Sequence, residues 1–220
     1  MAKGRCIVMV MVLLSALPGL VASQDAGDAH WIIRTRIISV SPSDASAMIT
    51  TTGSEIGVDS AIAPEIDLMY RFARHWGIEL TLFTAKHQFE TVGGAIGGMD
   101  AGDAWILPPT ITFQYWIPVE GKVQPYVGLG LNYTSFYGYD LSDDLRGLGL
   151  IELDFEPSFG FAGQLGADFT LGRTWSLNLD VKYIDISTDV ELRRGAPGLL
   201  DTVSVDVDPW VFGLGLGWAF

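Results

Sequence analysis

The sequence contains few residues of the types that carry redox, metal or nucleic-acid chemistry. Its 220 residues include one cysteine, three histidines and 13 basic residues against 26 acidic ones, for a formal net charge of −13. The single cysteine, Cys6, lies in an N-terminal segment that we expect to be removed, so neither a disulfide framework nor thiol chemistry is available. Because phosphate contacts need patches of Lys and Arg, the acidic balance argues against nucleic acid as a partner.

Long apolar runs are also scarce, and the only one stands near the N-terminus. Lys3 and Arg5 precede an apolar stretch at residues 6–20, which small residues then separate from a polar sequence. This pattern predicts a signal peptide over residues 1–23 and a mature chain over residues 24–220. The alternative is a retained membrane anchor, which would need about 20 apolar residues to span. No later run reaches that length, which excludes a helical inner-membrane protein.

The rest of the sequence is rich in apolar residues that alternate with polar ones. Apolar residues make up 49% of the sequence, and the mean hydropathy is +0.31. In one segment Ile66 and Leu68 share a face while Glu65 and Asp67 share the other, which is the period of a β-strand. The alternation recurs in eight segments, at residues 31–37, 66–72, 78–82, 111–117, 127–133, 159–169, 177–183 and 210–220. An even number of strands is what a closed single-chain barrel of the outer membrane requires.

The connections between these segments are alternately long and short. Three are short turns, at residues 73–76, 119–123 and 172–174, and four are long Gly- and Asp-rich stretches, at residues 41–63, 88–107, 137–157 and 187–207. This order predicts an all-β fold, an eight-stranded antiparallel transmembrane β-barrel in the cell outer membrane, with both termini periplasmic and the long loops outside. The alternative is a soluble β-sandwich or lipocalin-like barrel, in which the apolar face would point inward.

The polar face of the segments carries many charged residues, which a membrane barrel would direct into its lumen. Opposite charges there are expected to pair, because an unpaired charge in a narrow lumen carries a large desolvation cost. An eight-stranded interior is barely wide enough for its own side chains, so we expect a closed polar floor and no continuous water channel. The predicted lumen charge network comprises Arg34, Arg36, Glu65, Asp67, Arg71, Glu79, Asp168, Asp180 and Lys182.

Inward positions closer to the outer rim are apolar and predict a pocket above that floor. The candidate ligand-binding residues are Ile38, Val40, Phe83, Phe136 and Ile184. The alternative is that these side chains merely fill the barrel, since small barrels are usually packed.

Prolines at the outer strand ends indicate where the barrel wall could open sideways. Each proline removes a donor from the ladder of backbone hydrogen bonds. An apolar solute that is repelled by the charged floor would leave through such a gap into the bilayer. We predict a lateral gate at Pro108, Pro109 and Pro209. The alternative is that these prolines only terminate strands.

Several stretches of the mature sequence resemble the outer membrane protein W family. They are LPPT at residues 107–110, PYVGLGLNYT at 125–134, GFAGQLG at 160–166, YIDI at 183–186 and DPWVF at 208–212, with the closing Phe220. The resemblance covers nearly all of the mature sequence and implies an eight-stranded outer-membrane barrel with an apolar lumen, linked to passive uptake of small hydrophobic molecules. The stretches at residues 41–63 and 88–107 carry no matching pattern, so the resemblance implies nothing about ligand specificity.

The predicted function is therefore passive uptake of small hydrophobic molecules through the apolar upper lumen, with lateral release into the membrane. The expected partners are outer-membrane lipids, small hydrophobic molecules and, through the C-terminal Phe220, the barrel assembly machinery. The alternative is a structural or surface-interaction barrel, resembling a receptor or adhesin, whose long loops bind host or phage components without transport.

Candidate catalytic groups are few. Of His30, His75 and His87, only His87 lies on the inward face of a strand, where it could act as a base. No serine has a clear reason to lie beside it, and a polar residue at the rim is the alternative interpretation. We therefore expect no enzymatic activity, no metal site and no cofactor.

Overall fold

The computed structural model describes residues 30–43, 47–49, 53–194 and 198–220, so the predicted signal peptide lies outside the described part of the chain. The described residues form fifteen strands and one short helix. In chain order they are β1 (His30–Ser41), β2 (Ala47–Ile49), β3 (Ser54–Val58), β4 (Ala61–Ala73), β5 (Trp76–Phe83), β6 (Ala85–Val92), β7 (Asp100–Leu107), β8 (Thr110–Trp116), β9 (Val123–Leu141), α1 (Asp143–Gly147), β10 (Leu150–Phe155), β11 (Ser158–Thr170), β12 (Trp175–Ile184), β13 (Ser187–Arg194), β14 (Gly198–Asp206) and β15 (Trp210–Ala219). Within these ranges no helix has both the length and the apolar character needed to cross a membrane.

Eight of the strands close into an antiparallel barrel. The ring runs from β1 through β4, β5, β8, β9, β11 and β12 to β15, which pairs with β1 again. On β1, Thr35 faces Ile66 of β4 on one side and Leu216 of β15 on the other. Each predicted segment lies within one of these strands or runs past its end by a single residue, which confirms the predicted eight-stranded antiparallel barrel.

The barrel strands turn their apolar side chains outward and their polar side chains into the lumen. Leu129 and Phe161 expose 77% and 70% of their surface on the outer wall, whereas Arg34 and Glu79 are wholly buried inside. This orientation is the reverse of the one in a soluble barrel, and it suits strands whose apolar face meets lipid. Because the ring is closed, neighbouring strands satisfy the backbone hydrogen bonds that a bilayer cannot.

Glycines on the inward face of β15 leave room for the longest side chains of the lumen. A Cβ atom at Gly215 would collide with the carbonyl oxygen of Thr35 and with the backbone of Arg36. A Cβ atom at Gly213 would press against the side chain of Arg36. The glycines that alternate with outward apolar residues in this strand therefore allow the neighbouring arginines to lie across the lumen.

Two further sheets continue the wall outward from the barrel, where we predicted only long loops. β9 runs past the end of the barrel and pairs with β7, which continues through β6 and β3 to β2. The second sheet contains β10, β13 and β14. The described residues of the segments at 88–107, 137–157 and 187–207 thus form strands and a short helix where we predicted loops. We call these two sheets, with α1 and the outer end of β9, the outer extension.

The outer extension keeps the strand period but has a polar outer face. On β6, Phe89 and Thr91 are buried inside, while Gln88 and Glu90 are exposed outside. An outer face of this kind suits water and not lipid, so the apolar outward pattern that marks the membrane strands ends at this level. Because the outer face is polar here, the apolar outward pattern predicted the barrel strands and not the strands of the outer extension.

Candidate functional site

Arg34 joins three carboxylates in the half of the lumen that lies near the short turns. Its Nη1 atom is 2.7 Å from Glu79 Oε2 and 3.3 Å from Asp67 Oδ1, and its Nη2 atom is 2.9 Å from Asp168 Oδ2. The four residues come from four different strands, so a single guanidinium links strands across the barrel. Charge-assisted hydrogen bonds of this kind are about twice as strong as neutral ones.

A second group of ion pairs lies one step further along the same inward face. Arg36 Nη1 is 2.6 Å from Glu65 Oε1 and 2.7 Å from Asp67 Oδ2. Lys182 Nζ approaches Glu65 at 3.0 Å and Asp180 at 2.5 Å. Asp67 and Glu65 each contact two basic groups or more, so the ion pairs form one connected network.

Neutral side chains complete this network. Gln164 donates to Glu79 and to Asp180 at 2.8 Å each, and the Tyr126 hydroxyl donates to Asp180 at 2.8 Å. Asn178 donates to the Tyr126 hydroxyl at 3.0 Å. The charge-based prediction did not include Gln164, Tyr126 or Asn178, although the period of two places all three on inward faces.

We call this layer the charged floor. Its ionisable members are Arg34, Arg36, Lys182, Glu65, Asp67, Glu79, Asp168 and Asp180, all with 4% or less of their surface exposed. Because these side chains are buried and bonded to one another across the lumen, the floor closes the barrel. An ion pair buried in this way is costly to break, since the remaining partner keeps its desolvation cost.

Arg71, the ninth predicted member, lies outside the charged floor. It is half-buried at the end of the barrel that holds the short turns. Its Nη2 atom donates to the carbonyl oxygen of Arg74 at 2.6 Å, and its guanidinium lies 4.5 Å from the centre of the Trp116 ring. Arg71 therefore covers the short-turn side of the floor, next to the aromatic residues that pack there.

A cluster of packed apolar side chains, which we call the apolar chamber, lies directly on the other side of the charged floor. Ile38 follows Arg36 on the inward face of β1, and Ile184 follows Lys182 on β12. The residues of the chamber are Ile38, Val40, Ala63, Phe83, Ala85, Ile106, Ala162, Ile184, Ile186 and Val211, with Phe136 packed against them. The structure thus brings all five candidate ligand-binding residues together in one packed apolar cluster.

A second apolar cluster, the outer cluster, lies inside the outer extension. Its members are Ile56, Phe89, Ala101, Ala104, Leu141, Leu145, Leu150, Val190 and Val205. It encloses a cavity of about 40 Å³, to which Phe136 and Phe155 also contribute. A cavity of this size admits water-sized molecules, and a solute of several carbon atoms would require its walls to move apart.

The wall of the barrel is interrupted beside the apolar chamber. Pairing of β4 with β5 ends at Glu65 and Phe83, and the ladder resumes only where Val58 of β3 pairs with Phe89 of β6. In this described part of the chain, residues 60–64 have no paired residues among 84–87, and we call this break the seam. A groove of about 610 Å³ meets the seam from outside, lined in part by Pro64, Leu82, Thr84 and Leu107.

Pro108 and Pro109 occupy a second break, next to the seam. Pairing of β7 with β6 ends at Ile106, and pairing of β8 with β5 begins at Thr110. The Thr84 hydroxyl bridges part of this gap by donating to the carbonyl oxygen of Ile106 at 2.9 Å. The two predicted gate prolines therefore lie where one strand ends and the next begins.

Pro209 lies in a closed part of the wall. Its carbonyl oxygen accepts a hydrogen bond from Ile184 N at 3.2 Å, and Val207 N donates to the carbonyl oxygen of Ile186 at 2.9 Å. On the other side Ser43 N donates to the carbonyl oxygen of Val207 at 3.1 Å. Pro64, which we did not predict as a gate residue, faces the open seam instead.

The three histidines lie in separate places. His30 begins β1, and His75 is in the turn between β4 and β5, where its Nδ1 atom is 3.1 Å from the carbonyl oxygen of Trp116. His87 is buried on the inward face of β6. Among the described residues no three His, Cys, Asp or Glu side chains are grouped so that they could hold a metal ion.

Comparison with known proteins places this architecture among outer-membrane barrels. A family model described as the OmpW family matches residues 26–220. Outer membrane protein W of Vibrio cholerae is 34% identical over 223 residues, which cover 100% of both chains. Among solved structures, the outer membrane protein OprG from Pseudomonas aeruginosa is 34% identical with a TM-score of 0.79, over 87% of this chain and 96% of that one. The NMR structure of outer membrane protein W from E. coli is 30% identical with a TM-score of 0.59, over 90% and 100% of the two chains.

Proposed function

Because this outer-membrane chain belongs to the OmpW family, we propose that it mediates passive uptake of small hydrophobic molecules with lateral release into the membrane. The observation that carries the proposal is the stacking of an apolar chamber on a closed charged floor, beside a break in the wall. A solute in that chamber has an apolar exit through the seam and a polar obstacle below. The seam therefore connects the chamber with the acyl chains of the outer membrane.

The direction of uptake follows from the topology. The short turns, the start of β1 and the end of β15 share one end of the barrel, where Trp31 and Phe220 exchange backbone hydrogen bonds. The outer extension rises from the other end. In outer-membrane barrels short turns are periplasmic and long loops extracellular, so the proposed orientation has both termini in the periplasm and the outer cluster at the cell surface.

The energetics favour the sideways exit. An apolar solute gains about 25 cal/mol for each Å² of surface that leaves water for the chamber. Crossing the charged floor would require ion pairs of Arg34, Arg36 and Lys182 to separate, each at a cost of several kcal/mol. Leaving through the seam breaks no ladder pairing between residues 60–64 and 84–87. The lower barrier therefore lies in the wall, at Pro64 and at Pro108 and Pro109.

The remaining partners in this proposal follow from the same surfaces. Outer-membrane lipids would cover the apolar outer wall, for example at Leu129 and Phe161. The barrel assembly machinery would recognise the C-terminal strand through Phe220, whose side chain is 56% exposed beside Trp218.

A locked seam tests the proposal. Cys6, the one native cysteine, lies in the predicted signal peptide, so a cysteine pair at Ala63→Cys and Ala85→Cys would be the only pair in the mature chain. Both positions lie in the apolar chamber, on opposite sides of the seam. We expect the oxidised pair to lower the uptake of n-octane by intact cells at least about tenfold, equivalent to about 1.4 kcal/mol in barrier height, and reduction to restore it.

The matched control is a cysteine pair in the closed wall of the same chamber. Ala162 and Ile184 are partners in the ladder between β11 and β12, so a disulfide between Ala162→Cys and Ile184→Cys joins strands that are already paired. Its oxidation should leave octane uptake within about twofold of the reduced form. If both pairs had equal effects, the seam would not be the exit.

A surface-interaction barrel is the second candidate function. It is favoured by the ordered strands of the outer extension, which hold the cavity of the outer cluster to about 40 Å³. On this alternative the folded wild-type protein would not raise octane uptake above that of cells that lack it.

A further inference from the structure

One buried polar side chain lies on the route that the proposed uptake would follow. His87 is 3% exposed and lies on the inward face of β6, between Ala85 of the apolar chamber and Phe89 of the outer cluster. Its partner in the β7 ladder is Ala104, which is also fully buried. The imidazole therefore stands at the border between the two apolar layers.

The hydrogen bond of one ring nitrogen fixes the role of the other. His87 Nδ1 is 2.7 Å from the carbonyl oxygen of Asp59, and a carbonyl oxygen can only accept. Nδ1 therefore carries the proton of the neutral ring, and Nε2 holds a lone pair as an acceptor. Nε2 is buried without a hydrogen-bond partner among the described residues.

Other buried polar groups at this level have partners within the protein. The hydroxyl of Thr188 donates to the carbonyl oxygen of Glu156 at 2.6 Å, and the hydroxyl of Ser158 accepts from Ser187 N at 3.0 Å. An acceptor that is left unsatisfied in an apolar setting carries a desolvation penalty. That penalty disappears when a donor from outside the protein reaches Nε2.

We propose that His87 is a specificity-determining residue that accepts a hydrogen bond from the hydroxyl group of a passing amphipathic solute. The ligand class is a single hydroxyl on an apolar body, such as a medium-chain alcohol. Its apolar part would lie in the chamber between Phe83 and Ile184, and its hydroxyl would reach Nε2. This inference rests on the proposed uptake function and adds a preference between solutes of equal length.

The first test compares n-octane with 1-octanol in intact cells that express the full chain. Because a net hydrogen bond changes an equilibrium by about three- to tenfold, we expect that preference for octanol in the wild type. His87→Leu, which lacks an acceptor, should abolish the preference by lowering octanol uptake relative to octane uptake. His87→Gln, whose amide oxygen can accept near the position of Nε2, should restore part of it. Equal preference in the wild type and His87→Leu would overturn the inference.

The second test measures binding without transport. In nanodiscs with ¹⁵N-labelled histidine, the Nε2 resonance of His87, assigned by its loss in His87→Gln, should shift on addition of 1-octanol and not of n-octane. No shift with octanol would mean that water or nothing fills the site, and would overturn the inference. Failure of the proposed uptake looks different, because octane and octanol would then both fail to enter through any variant, including the wild type.

Discussion

The two halves of the lumen are built by the same strands with the same period, yet their chemistry is opposite. On the inward face of β1, Arg34 and Arg36 are followed directly by Ile38 and Val40. The change from ionised to aliphatic side chains takes one period of the strand, about 7 Å of rise. A barrel can therefore stack a charged floor and an apolar layer without any change in its backbone. Bonds among its own side chains stabilise the charged floor, whereas the side chains of the apolar chamber form no such bonds.

The largest expected effect on stability comes from breaking the charged floor. Arg34→Met would leave Glu79, Asp67 and Asp168 without the guanidinium that they share. Removing one partner from a buried ion pair costs roughly 3–5 kcal/mol. We expect that loss in the free energy of unfolding, measured by denaturant titration in lipid vesicles.

The control for that variant is an ion pair on the outer surface. Lys86 pairs with Asp103 at 3.0 Å, and both side chains are partly exposed. Lys86→Ala should lower the free energy of unfolding by less than about 1 kcal/mol, because exposed pairs contribute little. Similar losses for the two variants would show that burial does not distinguish the charged floor from the surface.

A smaller effect should follow from crowding the floor. Gly215→Val places a side chain against the carbonyl oxygen of Thr35 and the backbone of Arg36. Overpacking of this kind typically costs about 1–3 kcal/mol, which the same titration would measure. Gly163→Ala is the matched control, since a Cβ atom there meets nothing within 4 Å, and it should leave the stability nearly unchanged. A stable Gly215→Val variant would show that the backbone of β1 at Thr35 and Arg36 can shift.

The smallest effect concerns His87, at the border of the apolar chamber, and depends on pH. Burial lowers the pKa of the His87 imidazole below its usual value of 6.5, and Asp59 opposes the shift. The unfolded segment therefore takes up a proton at a higher pH than the folded one, so stability falls as the pH drops from 6.5 toward the folded pKa. Hydrogen exchange of the β6 amides, corrected for intrinsic rates, should show more frequent opening at pH 5.5 than at pH 7.5.

His87→Gln provides the control, because it keeps His30 and His75 and removes only the buried imidazole. In that variant the opening of β6 should be the same at both pH values. A pH dependence that persisted would assign the effect to another titrating group.

The barrel and its charged floor could be predicted because apolar residues facing lipid and polar residues facing the lumen alternate within each strand by itself. Glu79 and Lys182 are inward simply because their neighbours in the strand are apolar and meet lipid. Tyr126 was not predicted as part of the floor because it carries no charge. Its position next to the outward Val127 nevertheless places it on the inward face. Arg71 was predicted as part of the floor because it lies on the inward face of β4, but it is closer to the short turns than the floor is.

The seam could not be predicted from the sequence, because it is a property of two strands together. Pro64 removes one donor from β4, yet the break depends also on Thr84, where β5 gives way to β6. Pro209 has the same local chemistry, and its neighbours nevertheless close the wall through Ile184. The outer extension was missed because the outer face of strands such as β6 is polar, so these strands lack the apolar outward pattern.

β9 has a mechanical consequence for how the protein could open. Within the described ranges it is the one strand that passes from barrel to outer extension without a break, over 19 residues. The other barrel strands are interrupted at this level, at residues 42–43, 59–60, 84, 108–109, 156–157, 185–186 and 207–209. Any tilting of the extension must therefore pivot about β9, as a lid does about its one rigid edge. Displacement grows with distance from a pivot, so the wall at β1, opposite β9 in the ring, would move furthest, and the seam would move further than the strands next to β9.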